Sequence, residues 1–376
     1  MTLPPQGYLG LSSRPHPQGS WFHKHFRLLL DLMSIPYGMA VRARVRLYEQ
    51  GWLSQRRLSC PVISIGNLTV GGTGKTPFVM WVAQWLQSQG KQIGILSRGY
   101  RRTNESTFLL VSDGREVLVE AKDAGDEPYL MAINCPGVVV AVGSDRYKLG
   151  HWVLAQSEID CFILDDGFQH LGLYRDLNFL LVDGSDSFGL DKLLPAGRLR
   201  EPLSAAGRAT AVVVTRADLM TDQDKICGPL QTAMGRSIDP IRVEFQPKSI
   251  SGLSLNEEQP IGWVSGKDAL IFSGIGNAMA FRATVANMGV NILDEIVFPD
   301  HWAYSVSDLE MIRQRMRQVK ASCALTTEKD AVKLDPFIQD GYGIWAIRLR
   351  VEITGGKDRL LQWLNDLGDG TESGAG

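Results

Sequence analysis

In the stretch Thr69-Val-Gly-Gly-Thr-Gly-Lys-Thr-Pro77 a lysine and several hydroxyls stand among glycines, a mixture suited to holding phosphate. Gly71, Gly72 and Gly74 let backbone N–H groups turn toward an anion, and a following helix N-terminus adds its partial positive charge. Lys75 would then reach the outer phosphates, and the Thr76 hydroxyl would sit on a magnesium ion. Thr69, Val70, Gly71, Gly72, Thr73, Gly74, Lys75 and Thr76 make up the expected nucleotide-binding set. The usual G-x-x-x-x-G-K-[ST] pattern opens on glycine, and Thr69 stands in its place.

Carboxylates supply the next candidates. The run Cys161-Phe-Ile-Leu-Asp-Asp-Gly-Phe-Gln-His170 is an apolar strand ending in Asp165 and Asp166, where a Walker B carboxylate holds magnesium directly or through water. Asp126 and Glu127 precede Pro128 at a helix start; either caps that helix, or Asp126 is a carboxylate aimed at the site. Gln169 and His170 are placed to touch substrate or water, or to shape a turn. Arg98, Arg101 and Arg102 follow a strand, and Arg198 and Arg200 lie in Leu194-Pro-Ala-Gly-Arg-Leu-Arg-Glu-Pro202; planar guanidinium groups suit phosphoryl oxygens. Thr215-Arg-Ala-Asp218 resembles the guanine-reading loop of small GTPases without its opening asparagine, so guanine specificity does not follow from it.

These residues need a scaffold of alternating strands and helices. An apolar run ending at Ile65 predicts a buried strand, and Phe78–Leu86 an almost wholly buried helix, with Pro77 tolerated in its first turn. Further strands are expected at 92–96, 138–142, 161–165, 177–182 and 211–214, with a hairpin near 108–119. The reading is α/β: a P-loop NTPase-like α/β/α core over residues 59–250, then a smaller α/β domain over 251–367, with the boundary in the polar stretch Gln246–Gln259. In the second domain Gly274 and Gly276 imitate a dinucleotide fingerprint, with Asp294 twenty positions after the first; Met279 replaces the third glycine, so the better reading is a tight turn between strand and helix. His301 lies among aromatics in an irregular loop, and residues 344–351 form a late strand.

Ahead of the core, residues 21–58 read as two short basic amphipathic helices separated at Pro36. Such helices either lie in a membrane interface or pack on the protein's own core. Residues 1–20 and 368–376 read as flexible tails. No apolar run reaches the ~18 residues that a membrane span needs, and the N-terminus lacks the apolar segment of a signal peptide. The net charge of −2 argues against a general nucleic-acid binder. Five scattered cysteines without a C-x-x-C pair fit a reducing compartment better than a disulfide framework or a zinc site.

Seven motifs occur in order: Ile65–Pro77, Leu96-Ser-Arg-Gly-Tyr100, Gly125-Asp-Glu-Pro128, Asp165–His170, Pro195–Pro202, Pro299-Asp-His301 and Thr327-Glu-Lys-Asp330. In this the chain, over about residues 21–360, resembles the tetraacyldisaccharide 4'-kinases, which phosphorylate an acylated disaccharide to make lipid IVA on the way to lipid A. Thr69 agrees with that family. The resemblance implies two α/β domains with the active site in the cleft between them. It implies ATP and Mg²⁺ served by Lys75 and Thr76, a metal region at Asp165 and Asp166, and a catalytic pair of Asp126 and His301. Arg98, Gln169, Arg198, Arg200, Glu201 and Glu328 are substrate or phosphate candidates without individual roles. It also implies a peripheral enzyme of the cytoplasmic face of the inner membrane, its N-terminal helix on the bilayer, with an acylated lipid substrate, no nucleic acid and no obligate protein partner. Two rivals from other classes remain: a membrane-recruited P-loop switch that hydrolyses nucleotide to control a partner, and a nicotinamide-dependent reductase built on Gly274 and Gly276.

Overall fold

The structure, a computed structural model, describes residues 21–99, 108–186, 192–253, 257–334 and 343–369, with side chains from 27 to 367. In chain order the helices are α1 (Trp21–Glu49), α2 (Lys75–Ser88), α3 (Ala121–Ala124), α4 (Asp126–Asn134), α5 (Arg146–Leu154), α6 (Gln223–Met234), α7 (Ala278–Asn287), α8 (Val306–Val319), α9 (Glu328–Leu334) and α10 (Lys357–Asp369). The strands are β1 (Val62–Asn67), β2 (Ile93–Ser97), β3 (Leu109–Asp113), β4 (Val139–Val142), β5 (Cys161–Asp165), β6 (Leu177–Asp183), β7 (Ala211–Thr215), β8 (Ile241–Gly252), β9 (Glu258–Gln259), β10 (Asp268–Ser273), β11 (Asn291–Val297), β12 (Cys323–Thr327) and β13 (Ile344–Gly355).

All but β9 follow one sheet path, β11-β10-β12-β13-β8-β7-β6-β1-β5-β2-β4-β3. The first half of the chain makes β1, β2 and β4 to β8 parallel, with β3 antiparallel on the edge. The second half makes a smaller parallel sheet of β10, β11, β12 and β13. Strands β1, β5, β6 and β7 are buried along their whole length, as parallel strands covered on both faces must be. Phe78 on α2 is fully buried and meets Phe179 of β6 edge-on, 6.2 Å between ring centres. Truncating it to alanine would cost about 3–5 kcal/mol, so the helix that carries Lys75 is firmly seated.

Two expectations change. Residues 21–49 form one helix that runs through Pro36, not two. Proline removes one helical hydrogen bond and crowds the preceding turn, but contacts on both sides of it hold α1 down. The Tyr37 hydroxyl donates to the Arg200 carbonyl at 2.8 Å, and Lys192 pairs with Asp31 at 2.8 Å. The polar stretch at 246–259 is no loose linker either. Its first half belongs to β8, which pairs antiparallel with β13 from Arg242 to Gly252, so the expected boundary at 250 falls inside a strand. Antiparallel strands with one wetted face read as polar, and that composition resembled a linker. Of the expected tail at 368–376, Gly368 and Asp369 instead close α10, and its remainder, the expected tail at 1–20, and Arg101 and Arg102 lie outside the described residues.

Candidate active site

Between the halves lies a cleft of about 1110 Å³, lined by the glycine loop, Asp126, Asp165, Asp166, Arg200, His301 and the face of α1 carrying Tyr37, Val41 and Arg44. Its floor is the C-terminal end of the first sheet, where parallel α/β sheets place their ligands. β1 ends at Asn67, the chain loops, and Gly74 in the left-handed region (φ 73°) caps α2. A side chain on Gly74 would strike the Phe245 ring, so glycine is required there for space and for backbone angle alike. α2 thus begins at Lys75, with Pro77 in its first turn.

The loop is braced from three sides. The Thr215 hydroxyl donates to the Thr73 carbonyl at 2.9 Å, and Arg216 donates to the Gly72 carbonyl at 3.1 Å while pairing with Asp183. Arg198 donates to the Val70 carbonyl at 2.9 Å and pairs with Asp186, and its own carbonyl accepts from the Val70 amide at 2.8 Å. Thr69 bridges Leu199. The guanine-loop-like segment is therefore a strut, and Arg198 is a brace, whereas Arg200 and the exposed Arg98 line the cleft.

Lys75 donates to Asn67 Oδ1 at 3.2 Å and lies 3.6 Å from Asp166. Arg200 donates to Asp166 at 2.7 Å. Burial alone would push the Asp166 carboxyl up, but Lys75 and Arg200 outweigh it and hold the group below the usual carboxylate range. Asp165 goes the other way. It is 2% exposed and accepts from Ser97 at 2.8 Å, and burial together with Glu127 and Asp166 pushes it up to about 7. Its Oδ1 and the Thr73 hydroxyl are buried without a hydrogen-bond partner, and Thr76, on the first turn of α2, is buried as well. Unsatisfied hard oxygens among repelling carboxylates suit a hard cation. Among the described residues no cluster of three His, Cys, Asp or Glu could hold a metal by itself, as befits an ion bound by one or two carboxylates plus phosphates.

Gln169 donates to the Asn67 carbonyl at 2.9 Å, fixing the end of β1. His170, on the cleft wall, is held down to about 4 by burial and by Arg146, so it is neutral. Glu201 pairs with Arg208 and is buried. Glu328 lies on the cleft wall but accepts from Arg348 at 3.2 Å and from the Leu349 amide at 3.3 Å, which makes it a brace of β13.

The second half closes over this floor. Asp126 opens α4, and His301, in the left-handed region at φ 58°, brings Nδ1 to 3.3 Å from Asp126 Oδ2. Burial raises the Asp126 carboxyl, yet His301, Lys333 and Lys329 prevail and hold it below its ordinary value. Lys329 reaches Glu127 at 2.9 Å, so charges from α4 and α9 interlock across the cleft. Asp330 anchors the Gly274 turn by accepting from its amide at 3.0 Å. A Cβ on Gly276 would lie 2.8 Å from the Gly72 nitrogen, so the fingerprint-like glycines serve the close approach of the halves over the phosphate loop. Sequence reasoning missed Asn67, Glu127, Arg146, Lys329 and Lys333 as site residues. Lys329 stands inside a quoted motif, but nothing local in the sequence shows where its ammonium points.

A family model described as tetraacyldisaccharide-1-P 4'-kinase matches residues 26–368. The chain belongs to this family. It is similar to the tetraacyldisaccharide 4'-kinase of Pelobacter propionicus, 41% identical over 311 residues, covering 82% of this chain and 84% of the relative. It is similar to the Aquifex aeolicus enzyme of the same name, 39% identical over 318 residues, covering 84% and 91%. A crystal structure of the "apo" form of LpxK from Aquifex aeolicus in complex with ATP superposes with a TM-score of 0.72 at 34% identity, covering 91% of this chain and 99% of that one. Family membership and fold agree with the kinase reading over both rivals, and the reductase loses its glycines to the contact between Gly276 and Gly72.

Proposed function

We propose that this kinase moves the γ-phosphoryl group of ATP onto the 4'-hydroxyl of a tetraacyldisaccharide 1-phosphate, forming lipid IVA. The observation that carries the reading is the cleft that joins a strand-loop-helix phosphate cradle to a carboxylate from one half and a histidine from the other. A sugar hydroxyl has a pKa far above neutrality, so it needs a held geometry and a proton acceptor as its oxygen bonds to phosphorus. Asp126, ionised because nearby cations hold its pKa down, takes that proton late in a loose transition state. Lys75, Arg200 and the loop amides neutralise phosphate charge, and closure of the second half excludes water. Thr76, Asp165 and Asp166 would hold Mg²⁺, which when bound supplies charge neutralisation at the transferring phosphoryl oxygens.

The acceptor is acylated, so the cleft has to open toward a bilayer. Tyr37, Val41 and Arg44 on one face of α1 line the cleft, while Leu28, Leu32, Ile35 and Met39 at i, i+4, i+7 and i+11 form an exposed stripe on the opposite face, Met39 being 64% exposed. An apolar stripe on a basic helix suits the interfacial plane of a membrane. Among the described residues no helix is long and apolar enough to cross one. Peripheral attachment to the cytoplasmic face of the inner membrane is the reading that this supports. The test is incubation with labelled ATP and the disaccharide lipid: label should move to a lipid with one added phosphate, and release of inorganic phosphate alone would favour the nucleotide switch.

A further inference from the structure

We infer that Asn67 is a positioning residue for Lys75: its side-chain oxygen holds the ammonium short of Asp166 and keeps it available to a nucleotide in the glycine loop. The inference rests on the reading that this loop takes ATP.

Asn67, the last residue of β1, is completely buried, and a buried amide is stable only when both of its ends are satisfied. Its Nδ2 donates to the Thr69 carbonyl at 2.8 Å, which leaves Oδ1 to accept from the Lys75 Nζ at 3.2 Å. The carbonyl has no hydrogen to give and the ammonium has no lone pair, so the amide cannot turn over. The backbone is pinned as well, because the Asn67 carbonyl accepts from Gln169 at 2.9 Å. Thr69, which stands where the usual pattern has glycine, belongs to the same arrangement. It is bridged antiparallel to Leu199, with the Arg200 amide donating to the Leu68 carbonyl at 2.7 Å and the Val70 amide to the Arg198 carbonyl at 2.8 Å. An extended, strand-paired residue has no need of glycine's conformational freedom. The Thr69 hydroxyl, 3.4 Å from Asn67 Nδ2, gives the amide a second acceptor.

The oxygen that Asn67 competes with is on Asp166. Asp166 Oδ2 accepts from Arg200 at 2.7 Å, whereas its Oδ1 is buried and, among the described residues, has no hydrogen-bond partner. That bare oxygen lies 3.6 Å from the Lys75 Nζ, and the lysine side chain is only 11% exposed. A carboxylate is a stronger acceptor for an ammonium than a neutral amide, yet the hydrogen bond goes to Asn67. Closed onto Asp166, the lysine would occupy an oxygen suited to a hard cation, and a charge-assisted bond would have to break before the ammonium met a phosphate. Held by a neutral oxygen, it gives up an ordinary hydrogen bond at most and turns its other protons to the incoming anion.

Equilibrium binding of ATP to the full-length protein, with a chelator present and no lipid, tests this in a mutant cycle. Asn67→Leu should weaken ATP binding about tenfold, because Lys75 then closes onto Asp166 Oδ1. In an Asp166→Asn background the competitor for the ammonium is gone, and adding Asn67→Leu should change the dissociation constant by less than about twofold. A residue that merely supports the loop would cost the same in both backgrounds. Equal losses therefore overturn the inference, and so does unchanged ATP binding in Asn67→Leu. Should the leucine variant not fold, Asn67→Thr and Asn67→Val carry the same cycle, since the two match in shape and only threonine offers an oxygen. Threonine should bind ATP about threefold tighter than valine with Asp166 present, and equally well with Asp166→Asn; no difference in either background overturns the inference. A parent without measurable affinity for ATP would remove the nucleotide reading as well, whereas a parent that binds ATP and shows equal losses removes the positioning role alone.

Discussion

Gly276 and Gly72, two hundred positions apart in the chain, approach so closely that a methyl group on the first would stand 2.8 Å from the amide nitrogen of the second. The glycine loop is thus roofed by the turn between β10 and α7, and the Asn277 side-chain amide donates to the Ser185 hydroxyl at 3.2 Å beside it. Gly276→Ala should hold the halves apart by a fraction of an ångström. Expected is a loss of about tenfold in kcat/KM for ATP, ~1.4 kcal/mol, with stability changed by less than ~0.5 kcal/mol because the turn itself is wetted. Unchanged kinetics would show that this contact is not part of the working arrangement.

Asp126→Asn keeps the shape of the carboxylate and removes its basicity. Turnover should fall by about 10²–10⁴, with ATP affinity nearly unchanged because Lys75 and the loop are untouched. His301→Ala should cost less, since it removes an orienting partner and leaves the base in place. Equal losses for the two single variants and their double would show them acting as one unit.

Asp165 should make the stability of the metal-free protein fall with pH near neutrality. In the unfolded chain its carboxyl titrates near ~3.9, and in the fold it titrates at about 7, so between those values the folded state binds the extra proton. Asp165's contribution then falls as pH rises through that window, while His170, held down to about 4, contributes the opposite slope up to about 6.5, so the net fall shows above that pH. Asp165→Asn removes the buried charge, so the variant should match the parent at pH 5.5 and melt about 2–4 °C higher at pH 8. Added Mg²⁺ should raise the parent's Tm increasingly from pH 6 to 8 and leave the variant's unmoved. A variant that melts no higher than the parent at pH 8 would show that ionising Asp165 costs the fold nothing.

Replacing Leu28, Leu32, Ile35 and Met39 together by serine should leave fold and ATP binding intact, because these side chains face solvent. Flotation with anionic vesicles is the measurement: the parent should rise with the lipid and the variant should stay below. Tyr37→Phe, on the opposite face, should not change partitioning; if it did so as strongly as the serine set, the stripe would not be the contact.

How much of this was legible in the chain follows the reach of each interaction. The glycine loop, the Asp165-Asp166 strand end and the alternating elements were readable, because Gly74 at the cap, Lys75 on the first turn and a buried β5 are local demands that spacing expresses directly. Residues 21–49 were misread at Pro36, where a local rule yields to contacts with Arg200 and Lys192, and β8 was misread where one wetted face imitates a linker.

The composition and spacing of the motifs, by themselves, determined a phosphate-handling α/β protein and its nucleotide loop. Family resemblance paired Asp126 with His301, and only the tertiary structure decided how the cleft's charged groups meet: Asp126 with His301 across 175 positions, and Lys329 with Glu127 across 202. No local pattern encodes such meetings. They arise because β8 and β13 join two sheets, so that loops from separate halves share one cleft, and there burial and neighbouring charge push Asp165 up and hold Asp126 down.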